Sequence, residues 1–361
     1  MRKKKMDIFL LIMVIAICIF GIIMIYSASS IWAEYKFHDA FKYVKHQSMF
    51  FIVGLGVLYF FSKIDLEFLK KKSNLILGIC FLLLILVLIP GIGSVRNGSR
   101  SWFGIGGFGI QPSEFAKIGL IIFTAKYLSK NQKNMTDVKK GALPIFLVIG
   151  VFFLLIMLEP DFGTAMVMAL TIVCLIFVSG LKISFFVKLG VLGLLGVVGL
   201  IIAAPYRMAR IISFLNPWSD PLGAGYQIIQ SLYAIGPGGL LGQGFLNSRQ
   251  KHFYLPEPQT DFIFSIISEE FGFLGVLIVC SFFCILFYRM INIALKTNDL
   301  FYKYLTFGLA FGIFIQASLN LCVVVGLIPV TGVTLPFFSY GGSSLLITLT
   351  SIGLVLNVSK K

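Results

Sequence analysis

Ionisable residues inside or beside long apolar runs are the strongest chemical signal in this sequence, because in lipid each costs several kcal/mol unless it is paired or hydrated. Glu114 and Lys117 stand three residues apart, on one face of a helix. They form either a mutual salt bridge or a site in which the lysine points as a cation into an outer cavity. Asp161 precedes the run FGTAM, where it is either a helix N-terminal carboxylate that the macrodipole favours or a functional acid.

Two arginines and an aspartate mark the ends of the longest polar segment. Arg207 and Arg210 lie three residues apart on the side that we predict to be outside, so they require an anion. Guanidinium groups match phosphate oxygens in pairs, which predicts a phosphate ligand; a lipid headgroup or Asp220 is the alternative partner. Asp261 follows YLPEPQT and opens an apolar run, either as a dipole-stabilising residue behind a Thr260 N-cap or as an accessible, hydrated carboxylate.

The elements that must position these residues are apolar runs long enough to cross a membrane. The chain has 361 residues, of which 58% are hydrophobic and 12% are charged, whereas a soluble domain has about 25% charged residues. Lipid must therefore be the solvent. We predict an all-α polytopic membrane protein, a single domain over 1–361 with about ten transmembrane helices of roughly 17–25 residues each. The candidate spans are 7–27, 45–62, 74–90, 113–129, 143–158, 162–180, 184–204, 261–288, 302–325 and 340–358.

The distribution of Lys and Arg predicts the side of the membrane that each loop faces. With ten spans, one side holds roughly twice as many of these residues as the other, and the richer side is the cytoplasmic one. Both termini are therefore predicted to be cytoplasmic. The net charge of +15 follows from this bias and from anionic lipid headgroups, so it implies no nucleic-acid partner. The six cysteines lie in apolar runs and the three histidines are scattered, which argues against a disulfide framework or a zinc site.

The predicted outer side concentrates the polar and loop-forming residues. The segment at 205–260 contains six prolines, so it is not one helix, and long loops of this kind are usually functional. Within it, GYQIIQSLYAIG places Tyr226, Ile229 and Tyr233 on one stripe. This pattern predicts a short amphipathic helix at the interface, which either caps the bundle or touches a substrate. The cytoplasmic connections are short and contain no nucleotide-binding loop, so ATP is not the expected energy source.

Five blocks of sequence resemble a known family. In chain order they are NGSRSWFGIGGFGIQPSEFAKIGLI (97–121), EPDFGTA (159–165), YRMARIISFLNPWSDPLGAGYQIIQSLYAIGPGGLLGQG (206–244), YLPEPQTDFIFSIISEEFGFLG (254–275) and GLIPVTGVTLPFFSYGGSSLL (326–346). Over nearly the whole chain they resemble the SEDS family of shape, elongation, division and sporulation proteins, which comprises the FtsW, RodA and SpoVE branches. The motifs LPEPQTDFIF and LNPWSDPLG are more similar to the SpoVE and FtsW branches than to the RodA branch.

This resemblance implies a peptidoglycan glycosyltransferase with a GT-C-like architecture in the bacterial cytoplasmic membrane. Such an enzyme polymerises lipid II into glycan strands on the outer face, for cell division, elongation or sporulation, with undecaprenyl pyrophosphate leaving. The resemblance also implies a divalent cation, Mg²⁺ or Mn²⁺, and no organic cofactor. The implied partners are a cognate class B penicillin-binding protein, which supplies the transpeptidase, and other division, elongation or sporulation membrane proteins.

The same resemblance implies roles for individual residues. Asp261 is the implied catalytic carboxylate, and we expect it to accept the proton of the acceptor hydroxyl. A helix N-terminus would lower the pKa of this carboxyl, which would weaken it as a base. The implied substrate-binding positions are Trp102, Glu114, Lys117, Asp161, Arg207 and Arg210, of which the two arginines would hold the pyrophosphate.

Two other functions stay open on the sequence. A lipid II flippase needs a polar path across the bilayer, which Glu269, Glu270 and Asn320 would extend inward. The two glutamates lie about 12 Å below Asp261 along the helix, where Lys117 or the loop backbone is expected to pair with them. A non-catalytic scaffold for the transpeptidase explains the apolar surface but leaves the outer arginines and carboxylates unexplained.

Overall fold

The structure is a computed structural model of the chain and describes residues 5–96, 98–105, 108–135, 137–202, 208, 214–223 and 225–361. Eleven α-helices lie in these residues: α1 (Ile8–Phe37), α2 (Lys42–Phe61), α3 (Leu66–Leu88), α4 (Pro112–Asn131), α5 (Leu143–Leu158), α6 (Phe162–Val178), α7 (Ile183–Ile202), α8 (Tyr226–Ile235), α9 (Ile263–Leu295), α10 (Leu300–Val324) and α11 (Gly342–Val358). Ten of them coincide with the ten predicted spans, and α8 is the short helix predicted in the outer segment. The all-α membrane fold is therefore confirmed.

Several helices extend beyond the apolar runs, because capping groups rather than hydrophobicity set where a helix ends. Asp7 caps α1 by accepting a hydrogen bond from the Leu10 amide, and the helix continues to a left-handed His38, well past the predicted end. Asp65 caps α3 in the same manner, ahead of the predicted start. Among the described residues, five helices are long and apolar enough to cross a membrane by length and composition alone. Others are shorter or, like α4, carry charge.

The centre of the bundle is α11, in which every residue from Ile347 to Val358 is buried. It packs against α2 and α10. Gly353 lies so close to α2 that a Cβ atom there would stand 2.6 Å from the Leu58 carbonyl oxygen. Small residues permit this close approach of helices in membranes. Since α11 begins directly after the segment 326–341, its position holds that segment above the bundle.

The two ends of the chain meet on one side of the bundle. The Asp7 amide donates to the Ser359 hydroxyl over 3.2 Å, and the Arg289 guanidinium pairs with the Asp7 carboxylate at 3.3 Å. Termini on one side agree with an even number of spans. The opposite end of the bundle, which the charge bias assigns to the outside, is named the outer face.

Three short strands occupy the described part of the region that the sequence indicates as a loop over about 90–112. β1 (Ser94–Arg96), β2 (Ser99–Ile105) and β3 (Phe108–Ile110) pair antiparallel in that order between α3 and α4. Glycine and serine fill this segment, so its apolar and polar residues show no alternation that would predict strands. The Ser343 hydroxyl donates to the Gly109 carbonyl, which ties the sheet to the start of α11.

The buried face of the short helix α8 differs from the predicted aromatic stripe and consists of Ile228, Ile229, Ser231 and Ala234. Ile229 is buried as that stripe requires, but Tyr233 is 49% exposed, and Ser231 and Ala234 are buried instead. The Ser231 hydroxyl donates to the Val324 carbonyl at the end of α10. Because Ser231 is small, α8 approaches α10 closely at this contact, and the Tyr233 ring stays on the exposed side of the helix.

The long helix α9 is broken at Gly272, where φ is 59° and ψ is −151°. This conformation is essentially restricted to glycine. The segment 238–244 runs beside the break and replaces backbone hydrogen bonds there; the Gln243 amide, for example, donates to the Glu269 carbonyl over 2.9 Å. Non-helical backbone at membrane depth is tolerated where protein supplies such partners. The outer half of α9 and this segment therefore form one unit, directly behind Asp261.

Candidate active site at the outer face

Asp261 lies at the outer face in a turn before α9. The helix begins at Ile263, and the Thr260 hydroxyl donates to the Glu257 carbonyl, so the predicted Thr260 N-cap is wrong. The side-chain amide of Asn320 holds the turn by donating to the Asp261 carbonyl over 2.7 Å. The Asp261 side chain is partly buried. Its backbone is therefore fixed, while its carboxylate oxygens have no hydrogen-bond donor in the described part of the chain.

The environment of Asp261 makes its carboxyl group a weak acid. Burial raises the pKa of Asp261 to about 7, and the negative charges of Glu257 and Asp161 add to the rise. The shift is opposite to the lowering expected from a helix N-terminus, because burial is its largest cause and the two neighbouring carboxylates add to it. A carboxyl group whose pKa is close to neutrality suits general base catalysis near physiological pH.

Asp161 caps α6 near the same region as Asp261. Its carboxylate accepts hydrogen bonds from the Thr164 amide at 3.0 Å and from the Gln111 side-chain amide at 2.8 Å, so the predicted position at a helix N-terminus is confirmed. Burial raises the pKa of Asp161, although the Thr164 amide opposes the rise. Glu159 is buried as well, and burial together with the charge of Asp161 raises its pKa to about 8. Ionisation is therefore disfavoured here unless a cation or further hydrogen bonds compensate it.

Lys117 is held between two buried partners. Its ammonium lies 2.8 Å from the Glu114 carboxylate and 2.7 Å from the Gln316 side-chain carbonyl, so the predicted salt bridge is present. The Gln316 amide in turn donates to the Thr334 carbonyl over 3.1 Å and to the Ser344 hydroxyl over 3.3 Å. This network joins α4, α10, the segment 326–341 and α11 at the outer half of the bundle.

A small cavity lies beside Lys117 between α4, α6, α10 and α11. Its volume is about 30 Å³ and its lining is mostly apolar, with the hydroxyls of Thr171, Thr348 and Ser351 at its walls. A volume of this size accommodates about one water molecule and no sugar. A substrate sugar therefore does not bind inside this cavity.

The other predicted substrate-binding residues lie on the sheet or outside the described residues. Trp102 stands on β2 opposite Ser94, and the Arg96 guanidinium lies 5.0 Å from the centroid of a Trp102 ring, a cation–π contact. Arg207 and Arg210 fall outside the described residues. The structure therefore gives a position to Trp102 and leaves the arginine pair as a prediction.

Glu269 and Glu270 lie below the site and bind the outer loop. The Glu269 carboxylate accepts from the Arg249 amide over 2.8 Å, and Glu270 pairs with the Lys251 ammonium at 3.2 Å. The loop backbone is thus a partner, as predicted, whereas Lys117 is not. Loop residues therefore contact both carboxylates, although the Oε2 atom of Glu270 has no hydrogen-bond partner among the described residues.

Comparison with known proteins places this arrangement in a family. The model of the FtsW/RodA/SpoVE family, described as cell cycle proteins, matches residues 8–361. Stage V sporulation protein E of Bacillus subtilis (strain 168) is 52% identical over 359 residues, covering 99% of this chain and 98% of that protein. A probable peptidoglycan glycosyltransferase FtsW of Geobacter sp. (strain M18) is 42% identical over 361 residues, covering 100% and 98%. The chain belongs to the FtsW/RodA/SpoVE family.

Two solved structures have the same fold as this chain. A chain of a peptidoglycan synthase complex that coordinates polymerization and crosslinking matches with a TM-score of 0.81 at 34% identity, covering 98% of this chain and 97% of that one. The rod shape determining protein RodA of Thermus thermophilus matches with a TM-score of 0.73 at 31% identity, covering 98% and 96%. The predicted multi-pass membrane architecture is confirmed by both matches.

Three side chains that shape the candidate site are not among the residues predicted from the sequence. Gln111 holds Asp161, Gln316 holds Lys117, and the charge of Glu257 acts on Asp261. A lone amide within an apolar run is the signal that marks Gln316, since a polar group in a membrane helix requires a partner. Glu257 stands between two prolines, and no spacing rule connects it with a site.

Proposed function

We propose that Asp261 is the carboxylate with which this peptidoglycan glycosyltransferase joins lipid II units into glycan strands. The observation that carries the proposal is a partly buried carboxyl group at the outer face whose pKa is about 7. Its oxygens have no hydrogen-bond donor in the described part of the chain. Relatives that align over nearly the whole chain are named as peptidoglycan glycosyltransferases, which supports the enzyme class.

The reaction transfers the glycan of one lipid II to a hydroxyl of an acceptor sugar. The acceptor oxygen attacks the anomeric carbon of the donor, the bond from that carbon to pyrophosphate breaks, and undecaprenyl pyrophosphate leaves. Asp261 in its ionised form takes the proton of the attacking hydroxyl. Since one carboxylate acts on a donor with a good leaving group, inversion at the anomeric carbon is expected.

Positive charge is needed where negative charge grows on the departing pyrophosphate. Lys117 already pairs with Glu114 at 2.8 Å, so it is a preorganised but partly neutralised cation. Arg207 and Arg210 are therefore the principal phosphate ligands in this proposal, because guanidinium groups bind phosphate oxygens in pairs.

A divalent cation, Mg²⁺ or Mn²⁺, shares this task in the proposal. Within the described residues, no group of three or more His, Cys, Asp or Glu is placed to hold a metal ion. Asp261 and Asp161 nevertheless offer hard oxygen ligands in a region that disfavours their ionisation, and a cation there would offset that cost. When bound, the ion would neutralise charge on the pyrophosphate, whose oxygens would complete the ligand shell.

The partner in this proposal is a class B penicillin-binding protein that crosslinks the strands. One solved relative is a chain of a peptidoglycan synthase complex in which polymerization and crosslinking are coordinated. The assay of polymerisation therefore contains the cognate transpeptidase as well as this chain.

The test is the initial rate of lipid II polymerisation in proteoliposomes. Asp261→Asn is expected to lower the rate at least ~100-fold, the usual scale for losing a general base. Asp39→Asn is the matched control, because Asp39 is an outer-face aspartate in an exposed ion pair with Lys45 at 2.8 Å. A control within about twofold of wild type is expected. Polymerisation by Asp261→Asn at the wild-type rate contradicts the assignment.

A further inference from the structure

An aromatic surface on the outer face runs from the turn before α9 to the outer end of α1. Its five rings, which we name the aromatic wall, are those of Tyr340, Tyr43, Trp32, Tyr35 and Phe253. Tyr43 packs edge-on against Tyr340 with the ring centroids 4.9 Å apart. Phe253 lies 5.6 Å from Trp32 and 5.3 Å from Tyr35, again between centroids. The Trp32 indole acts electrostatically on the Tyr43 hydroxyl, so the two groups of rings lie near each other.

The inner end of the aromatic wall meets the candidate active site. The Tyr340 amide donates to the Gln259 carbonyl over 2.8 Å, two residues before Asp261. The charge of Glu257 acts on both the Tyr43 hydroxyl and the Asp261 carboxyl group. The first two rings of the wall and the proposed reacting carboxylate therefore border one space.

The outer end of the aromatic wall is open to water. Helix α1 has 30 residues, or about 45 Å at 1.5 Å per residue, and the hydrocarbon core of a bilayer is only about 30 Å thick. Its last turns therefore project outward, and there Tyr35 is 72% exposed and Phe253 is 51% exposed. Phe253 and Glu257 have φ angles of 69° and 44°. Such left-handed conformations are strained for these residue types and cluster at ligand sites.

We propose that the aromatic wall binds the growing glycan strand and guides it from the active site toward the outer aqueous space, an inference that rests on the proposed function. A pyranose ring has an apolar C–H face that packs on an aromatic ring, and edge hydroxyls that hydrogen-bond to groups such as the Tyr43 hydroxyl or the Glu257 carboxylate. Several rings in sequence offer places for several sugars in sequence. A pocket closes around one substrate, whereas a wall with one open end accepts a product that lengthens in every cycle.

Aromatic side chains also gather at membrane interfaces, where they anchor helices. An anchor contributes to insertion and stability but does not change the length of a polymer. The positions of two rings of the wall do not fit a membrane anchor, because Tyr43 and Tyr340 pack against each other beside the turn that contains Asp261. Strand length is therefore the quantity that separates a glycan-binding wall from a membrane anchor.

The first experiment measures the length of the strands that variants make from lipid II in the presence of the transpeptidase. Trp32→Ala and Tyr43→Ala each remove one ring, and we expect mean strand length to fall roughly threefold to tenfold, the scale of one aromatic contact. The initial rate of lipid II consumption is expected to change less. Tyr26→Ala is the matched control, because Tyr26 stacks on Phe41 at 4.9 Å outside the wall.

Three results would overturn the proposal. They are normal strand length in both wall variants, equal shortening in Tyr26→Ala, and a fall in initial rate as large as the fall in length, which would indicate a general loss of activity. A wild-type protein that makes no glycan contradicts the proposed function instead, and the binding measurement then decides about the wall separately.

The second measurement needs neither activity nor alanine variants. The chain contains three tryptophans, Trp32, Trp102 and Trp218, so a Trp102→Phe/Trp218→Phe protein in nanodiscs reports on Trp32 alone. Titration with chitohexaose, a lipid-free chain of N-acetylglucosamine rings, is expected to change this emission saturably, and Tyr43→Phe is expected to weaken the binding. Emission that stays constant up to millimolar chitohexaose overturns the proposal.

Discussion

Two buried lysine–glutamate pairs in the described part of the chain differ in their sequence separation. Lys117 and Glu114 lie three residues apart on α4, with side chains that are 10% and 7% exposed. Lys251 and Glu270 join the outer loop to α9, with side chains that are 3% and 0% exposed. The first pair is local and contacts Gln316 beside the site. The second pair is more distant in sequence and closes a loop.

The remaining contacts of each pair indicate its purpose. The charges of both members of the first pair act on Asp161 in the candidate site, where Glu114 raises the pKa of Asp161 and Lys117 lowers it. Glu270 accepts from the Ser27 hydroxyl of α1 at 2.5 Å and from the Ser248 amide at 3.4 Å, so this pair fastens α1, the loop and α9 together. A buried ion pair is weak evidence for stability by itself, since desolvation offsets much of the attraction. Under the proposed function, the third partner therefore distinguishes a pair that contributes to catalysis from one that holds the fold together.

The largest expected effect is on the architectural pair. Glu270→Ala leaves Lys251 buried without its carboxylate, which costs about 3–5 kcal/mol of unfolding free energy. The measurement is the melting temperature and the monodisperse fraction in detergent. The double variant Lys251→Met/Glu270→Gln removes both charges and is expected to regain most of the stability together with polymerisation. A double variant that folds but does not polymerise would assign this pair to the chemistry as well.

The pair on α4 is expected to respond in the opposite manner. Lys117→Met leaves Glu114 without its ammonium partner, at a cost of about 1–3 kcal/mol, and lowers the polymerisation rate at least ~10-fold by removing a cation near the pyrophosphate. Lys117→Met/Glu114→Gln is expected to restore the melting temperature without restoring the rate. If the rate returns with the melting temperature, the two pairs have the same purpose and the contrast between them is lost.

The ten spans were predictable from sequence because a hydrocarbon solvent leaves few alternatives to an apolar helix of fixed length. The break at Gly272 was not, since a glycine inside an apolar run is ordinary in a membrane helix and the loop that compensates the break lies far back along the chain. The strands β1 to β3 carry too little alternation to be recognised. The transmembrane helices are therefore predictable from local sequence, whereas the structure of the outer face depends on contacts between distant parts of the backbone.

The candidate site divides in the same way. The resemblance implied Asp261, Asp161 and Lys117, and the local Lys117–Glu114 bridge follows from three-residue spacing alone. The raised pKa of Asp261 did not follow, because it depends on burial and on a charge from Glu257 that only the folded turn brings near. The path of the loop, rather than any spacing rule, likewise decides that Lys251 and not Lys117 reaches the Glu270 carboxylate.

The break in α9 provides a smaller test of the architectural side. A Cβ atom at Gly272 would stand 2.5 Å from the Gly242 amide nitrogen, and the backbone there has a φ of 59°. Gly272→Ala is expected to cost about 1–3 kcal/mol of unfolding free energy. Gly78→Ala on α3 is the control, since no described atom lies within 4 Å of its Cβ position. Equal melting temperatures for the two variants would mean that the loop is not fastened at the break.

The smallest expected effect is a gain in stability at the reacting carboxylate. The pKa of Asp261 is raised from 3.8 to about 7, so at low pH the folded and unfolded chains both hold the proton and the residue has no effect. As pH rises from 3.8 toward 7, the unfolded chain releases a proton that the folded protein retains, and the folded state loses stability until the full cost is present above 7. A shift of this size sets an upper bound of about 4 kcal/mol, and solvent that reaches the partly exposed carboxyl group lowers the cost. Asp261→Asn avoids this cost, so its unfolding free energy is expected to rise on the order of 1–2 kcal/mol at about pH 8 and to stay unchanged near pH 4. Differential scanning fluorimetry of both proteins at the two pH values measures the change.

If the removal of the Asp261 carboxylate stabilises the fold and abolishes polymerisation, the residue contributes to catalysis at a cost in stability, in contrast to Glu270. A lower melting temperature in Asp261→Asn would instead group Asp261 with the residues that hold the loop.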